Sequence, residues 1–86
     1  MLNIKSETEF LNTCKMVVRD YTKIHIDSNE DFEVYVVWYC KTLQNFKALV
    51  STSLPDMMYY ECTYNGDAGE LYFDAYKKCD HVIIRK

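Results

Sequence analysis

Apolar residues recur along this chain at two different periods, and the change of period marks where a helix gives way to a sheet. Phe10, Cys14, Val17, Val18, Tyr21 and Ile24 follow one another at helical spacing, with Leu11 at the edge, so they form one face of a helix. Ser6-Glu7-Thr8-Glu9 just before them is a capping box. Ser6 can accept from the backbone N–H of Glu9, whose carboxylate reaches back to the N–H of Ser6, and acids suit the positive helix end. A helix is predicted to start there. Lys15, Arg19 and Lys23 recur on the opposite side as a solvated outer face. His25, if the helix reaches it, suits the negative helix end better than a catalytic role.

Beyond Asp31 the period shortens. Phe32 to Cys40, centred on Val34-Tyr35-Val36-Val37-Trp38-Tyr39-Cys40, is β-branched and aromatic and reads as a strand buried largely on both faces. Thr42-Leu43-Gln44-Asn45 can turn the chain, and Lys47 to Thr52 returns antiparallel because the link is too short for a crossover. Leu43 and Phe46 are large apolar residues at that turn, so each folds back on the core or meets a partner. Ser53-Leu54-Pro55-Asp56 is a break, since Pro55 cannot donate to a ladder. Met57 to Tyr64 is the third strand, Asn65-Gly66-Asp67-Ala68-Gly69 a hairpin loop, and Glu70 to Lys77 the fourth strand. Alternation in the fourth strand puts Leu71, Phe73 and Ala75 toward the core and Tyr72, Asp74 and Tyr76 away from it. Val82-Ile83-Ile84 can add a short C-terminal edge strand or fray. Residues 1–86 are thus expected to form a single α+β domain, with one N-terminal helix packed on one face of a four-stranded antiparallel meander.

Carried across the sheet, the alternation assigns Tyr35, Val37, Tyr39, Leu49, Tyr60, Tyr72 and Tyr76, with Asp74 among them, to the face away from the helix. One helix covers one side of such a sheet. A contiguous Tyr-rich flank suits a protein interface, most economically a homodimer, and those seven residues are the candidate partner-binding set. Two other readings compete with it. Tyrosines on an open sheet can simply satisfy β-propensity with their hydroxyls in water. Aromatic sheet faces also stack single-stranded nucleic acid, although such faces interleave Lys and Arg with the rings.

Composition sharpens this picture in a few places. With eight Tyr, four Phe and one Trp in 86 residues, the chain offsets its shortness with large rings. The net charge of −3 argues against a nucleic-acid partner, while the acids at residues 27–33 and 55–76 could imitate a polyanion. Cys14, Cys40, Cys62 and Cys79 lie too far apart for paired zinc ligands, so they are expected as reduced thiols and no metal or cofactor is expected. Asp27-Ser28-Asn29-Glu30-Asp31 resembles the start of a calcium loop, but Phe32 stands where that loop needs Gly and Trp38 where it needs Glu. Cys79-Asp80-His81 holds three catalytic residue types, yet neighbours on an extended chain point to opposite sides, so no enzyme is expected. No apolar run approaches the ~20 residues of a membrane span. The N-terminus lacks the apolar core of a signal peptide, so a cytoplasmic protein is expected.

The hairpin from Val34 to Thr52, with Tyr59-Tyr60-Glu61, Thr63-Tyr64-Asn65-Gly66 and Glu70-Leu71-Tyr72-Phe73-Asp74-Ala75-Tyr76-Lys77-Lys78, resembles a small uncharacterised family from phages and prophages of Gram-positive bacteria. The likeness covers about half the chain. It implies an accessory protein in the bacterial host cytoplasm that binds itself or a host protein, in one version as an inhibitor. It supplies no catalytic residues.

Overall fold

The computed structural model describes residues 2–25 and 30–85. Asp27-Ser28-Asn29 of the acidic loop lies outside the described residues. Helix α1 spans Glu7–His25, and the strands are β1 (Val34–Thr42), β2 (Asn45–Thr52), β3 (Met58–Asn65) and β4 (Glu70–Lys77). The helix starts where the capping box places it, with the N–H of Glu9 donating to Ser6 Oγ at 3.2 Å. At its other end His25 Nδ1 bonds the carbonyl of Tyr21 at 2.8 Å, satisfying one of the last carbonyls of the helix.

The four strands pair antiparallel in the order β1-β2-β3-β4, the expected meander, with α1 on one face. The molecule is only 18 Å through its thinnest dimension, so a single layer lies over the sheet. Phe10, Cys14 and Val18 from α1 meet Phe46, Ala48 and Val50 from β2 and Tyr60, Cys62 and Tyr64 from β3. Phe10 stacks on Phe46 with centroids 5.0 Å apart. The core therefore sits on the two central strands, and burying each of these large side chains contributes about 1.5–3 kcal/mol.

Two expectations are corrected here. The buried line on α1 is Phe10, Cys14, Val18 and Thr22, while Ile24 is 79% exposed. Residues four apart form a ridge inclined to the helix axis, so contact with the sheet drifts round the helix toward Thr22 and leaves Ile24 in solvent. Likewise β1 is not buried on both faces, because it is an edge strand with most of its side chains exposed. Its aromatic run is an edge ladder rather than a core strand.

The turns explain the remaining connections. Leu43 and Gln44 form a two-residue link in which Leu43 takes φ 56°, a region that favours glycine. Phe46 folds into the core, whereas Leu43 is 77% exposed. In the second hairpin Gly69 supplies the positive φ of 66°. Gly66 serves a different purpose: a Cβ there would overlap the backbone oxygen and side chain of Gln44, so its bareness lets the two hairpin tips touch. The tail after Lys77 adds no strand over residues 78–85, and Val82, Ile83 and Ile84 are exposed.

Candidate protein-interaction face

Strand register assigns the paired side chains of the sheet to one side or the other. Val36, Val50, Tyr60 and Ala75 stand opposite one another across the sheet, and the burial of Val50 and Tyr60 beneath α1 identifies this as a helix-facing row. Tyr35, Ser51, Tyr59 and Tyr76 form the adjacent row on the open side. Trp38, Leu49, Glu61 and Asp74 form the next open row, and Cys40, Lys47, Thr63 and Tyr72 the one after it.

Four of the seven candidate residues thus lie on the open face: Tyr35, Leu49, Tyr72 and Tyr76. Val37 sits at the irregularity of β1 and has no partner in the ladder, and Tyr39 and Tyr60 face the helix side. Tyr60 is 2% exposed, packed edge-on against Tyr21 of α1 and stacked on Phe73. Its partner in the ladder is Ala75, a residue whose alternation already pointed to the helix, so hairpin length could have placed Tyr60 correctly. Tyr39 is turned over by a bulge. The register slips between Val36 and Trp38, Tyr39 falls opposite the buried Ala48, and its hydroxyl donates to Glu7 Oε2 at 3.0 Å. That carboxylate pushes the Tyr39 phenol above its usual range. Trp38 and Tyr59 take the vacated places, and strict alternation had no means of showing Trp38.

The open face has a definite relief. Large rings stand on the two edge strands, with Tyr35 and Trp38 on β1 and Tyr72 and Tyr76 on β4, each between 43% and 52% exposed. Between them the central strands carry Ser51, Leu49 and Lys47 on β2 and Tyr59, Glu61 and Thr63 on β3, so the floor is mostly shorter or charged groups, with the Tyr59 ring at one end. The result is a shallow trough with aromatic walls. Lys47 Nζ lies 3.6 Å from Glu61, while Asp74 has no cation within ion-pair distance among the described residues. The floor therefore carries one net negative charge, and it divides the aromatic flank rather than leaving it continuous. At one end a depression of about 220 Å³ opens beside Tyr35, Tyr59, Pro55 and Met57, a size suited to one aliphatic side chain.

Comparison with known proteins gives the chain a family without a chemistry. A model for a family of unknown function, DUF6275, matches residues 11–86. The chain belongs to the DUF6275 family. The DUF6275 match takes in most of α1 and all four strands, hence the whole open face. No curated protein and no solved structure matches the chain.

Among the described residues no group of three or more His, Cys, Asp or Glu converges on a point that could hold a metal ion. Cys79, Asp80 and His81 lie on the exposed tail. No described helix is long and apolar enough to cross a membrane.

Proposed function

We propose that the protein is a non-enzymatic protein-binding module whose trough receives the C-terminal tail of a second copy. The observation that carries this reading is complementarity between two exposed parts of one chain. The trough offers aromatic walls over a floor whose Asp74 has no ion-pair partner among the described residues. The tail offers Val82, Ile83 and Ile84, exposed by 74%, 63% and 90%, between Lys78 and Arg85. Rings would cover the aliphatic side chains, and a tail cation would answer Asp74.

Reciprocal tail exchange is closed by two-fold symmetry, so the product is a dimer rather than a fibre. The trough measures roughly 19 Å across four strands and 26 Å along them, about 500 Å², which is below the ~800 Å² per partner of a standard interface. A reversible dimer is therefore expected. Glu61 and Asp74 on the floor disfavour a polyanion, which argues against single-stranded nucleic acid. The family resemblance supports a setting in a phage or prophage of a Gram-positive bacterium, acting in the host cytoplasm, with a host protein carrying a similar basic aliphatic segment as a further target of the trough.

Sedimentation velocity over a concentration series tests the reading. The full chain should associate reversibly, and a chain ending at Lys78 should remain monomeric. A strict monomer at several hundred micromolar, well above the micromolar range of reversible complexes, or a truncated chain that dimerises as well as the full one, removes the proposal.

A further inference from the structure

A second site lies on the other side of the sheet, where the last turn of α1 passes over the start of β3 and the end of β4. Here a cavity of about 330 Å³ opens between Tyr21, Thr22 and Tyr60, and its rim includes Asp56, Met58 and Lys77, with His25 beside them. The volume falls at the lower end of the range for ligand pockets, about 300–1,000 Å³. It suits a molecule with one small ring or a branched aliphatic group.

The unfilled hydrogen-bonding capacity of this cavity separates it from the others. Thr22 is 2% exposed, and its hydroxyl has no hydrogen-bond partner. A hydroxyl buried without a partner costs about 1–3 kcal/mol, so evolution rarely leaves one without a use. The Tyr60 hydroxyl lines the same space and lies near enough to Thr22 to interact with it, so between them the two hydroxyls keep donor capacity that a ligand could claim. Asp56 uses one oxygen to cap the N–H of Met58 at 3.1 Å, and its other oxygen has no hydrogen-bond partner among the described residues. Lys77 forms no ion pair among the described residues. The larger cavity at the hairpin tips, about 520 Å³, behaves differently. There Lys41 donates to the carbonyl of Leu43, Gln44 donates to Asp67 and Tyr64 donates to the carbonyl of Leu2. The Lys41, Gln44 and Tyr64 side chains are thus already engaged, which leaves Asn3 and Lys5 as the remaining polar groups of its lining.

The free groups define the ligand. Thr22, Tyr60 and Lys77 are donors, Asp56 is an acceptor, and Asp56 and Lys77 cancel in charge. A simple anion would leave Asp56 unanswered, and a simple cation would leave Lys77 so. The geometry points to a binding site for a free α-amino acid with an apolar side chain. Its carboxylate would take the three donors and its ammonium the Asp56 carboxylate, with the side chain against Met58 and the rings of Tyr21 and Tyr60. His25 is held outside this set, because its Nδ1 is committed to the Tyr21 carbonyl and its ring stacks on Tyr21 at 4.0 Å.

Amide NMR titration of the full chain with L-leucine and L-phenylalanine tests the assignment. Saturable shifts are expected at Thr22, Met58, Tyr60 and Lys77. Phenethylamine and 3-phenylpropionate, which each lack one charge, should bind at least about tenfold more weakly, the loss from leaving one charged group unpaired. Thr22→Val keeps the shape and removes only the buried hydroxyl, so it should still fold while binding at least about tenfold more weakly. Lys77→Met, at an exposed position, should weaken binding without affecting folding. Absence of saturable shifts from both amino acids up to about 10 mM, an affinity weaker than about −4 kcal/mol, overturns the assignment. So do controls that bind equally, or a Thr22→Val chain that binds undiminished.

Discussion

Glu61 and Asp74 face each other directly across the β3–β4 ladder, and among the described residues only Glu61 of the two has a cation within ion-pair distance, Lys47 at 3.6 Å. Like charges at opposed positions of a sheet destabilise it by about 0.2–1 kcal/mol, so the isolated chain bears a small cost at this pair. Asp74→Asn should remove that cost and raise the melting temperature by roughly 2–4 °C for about 0.5 kcal/mol in a domain of this size. The same change should weaken self-association, because the carboxylate proposed to meet a tail cation is gone. Melting at low protein concentration and sedimentation at high concentration separate the two effects. Equal stability and equal association would leave the acid without a role.

The same sheet shows which features alternation can reveal. In β4 the alternation of Leu71 and Phe73 with Tyr72 and Asp74 agrees with the observed faces, since that strand runs without interruption. The capping box and both hairpin turns were equally legible, being local chemistry. β1 was not legible in the same way. One extra residue near Val37 turns Tyr39 toward the helix side and Trp38 away from it, and no local pattern distinguishes a bulged aromatic strand from a regular one. Whether such a strand lies at the edge or the centre depends on chain order in space, which periodicity does not encode. The amino-acid cavity was illegible for the same reason, since its groups come from α1, the β2–β3 link, β3 and β4.

Backbone strain at Leu43 predicts an unusual sign for a glycine substitution. Leu43 holds φ 56° with its side chain 77% exposed, so little packing offsets the conformational cost. Leu43→Gly should stabilise the chain by about 0.5–1 kcal/mol, read as a shift of the urea midpoint at constant slope. Gly66→Ala should act the other way by about 1–3 kcal/mol, because its Cβ meets the backbone of Gln44 rather than a side-chain end that can move aside.

Tyr64 ties the N-terminal segment to the core through one hydroxyl. It donates to the carbonyl of Leu2 at 3.0 Å and accepts from the N–H of Ile4 at 3.2 Å, and Ile4 is itself 8% exposed. Tyr64→Phe keeps the ring against Phe46 but leaves the Ile4 amide without its partner. A loss of about 1–3 kcal/mol is expected. Amide hydrogen exchange at Ile4 should speed up more than exchange in the centre of β3, which marks local release rather than general loosening.

The four cysteines should divide into two kinds. Cys40 and Cys79 are exposed, whereas Cys14 and Cys62 are buried at the contact between α1 and β3. A thiol reagent should therefore modify two sites in the native chain and four after unfolding. The buried pair also sets a pH dependence. The contact with Cys62, together with burial, pushes the Cys14 thiol well above its usual range, and burial pushes the Tyr60 phenol up as well. In both cases the folded state keeps a proton that the unfolded chain releases. Stability is then full below the unfolded values, about 8.5 for Cys and 10 for Tyr, and falls as pH rises past each by up to about 1.4 kcal/mol per pH unit per group. Cys62 moves the other way, because the contact with Cys14 holds its thiol below the usual range, so its proton loss favours the folded state and offsets part of the effect. Urea midpoints should decline between about pH 8.5 and 10, where the Cys14 thiol opposes folding before the Tyr60 phenol does. Cys14→Ala lowers the whole curve by leaving a small gap, but it should also flatten that first decline. An unchanged slope in the variant would assign the alkaline loss to some group other than Cys14.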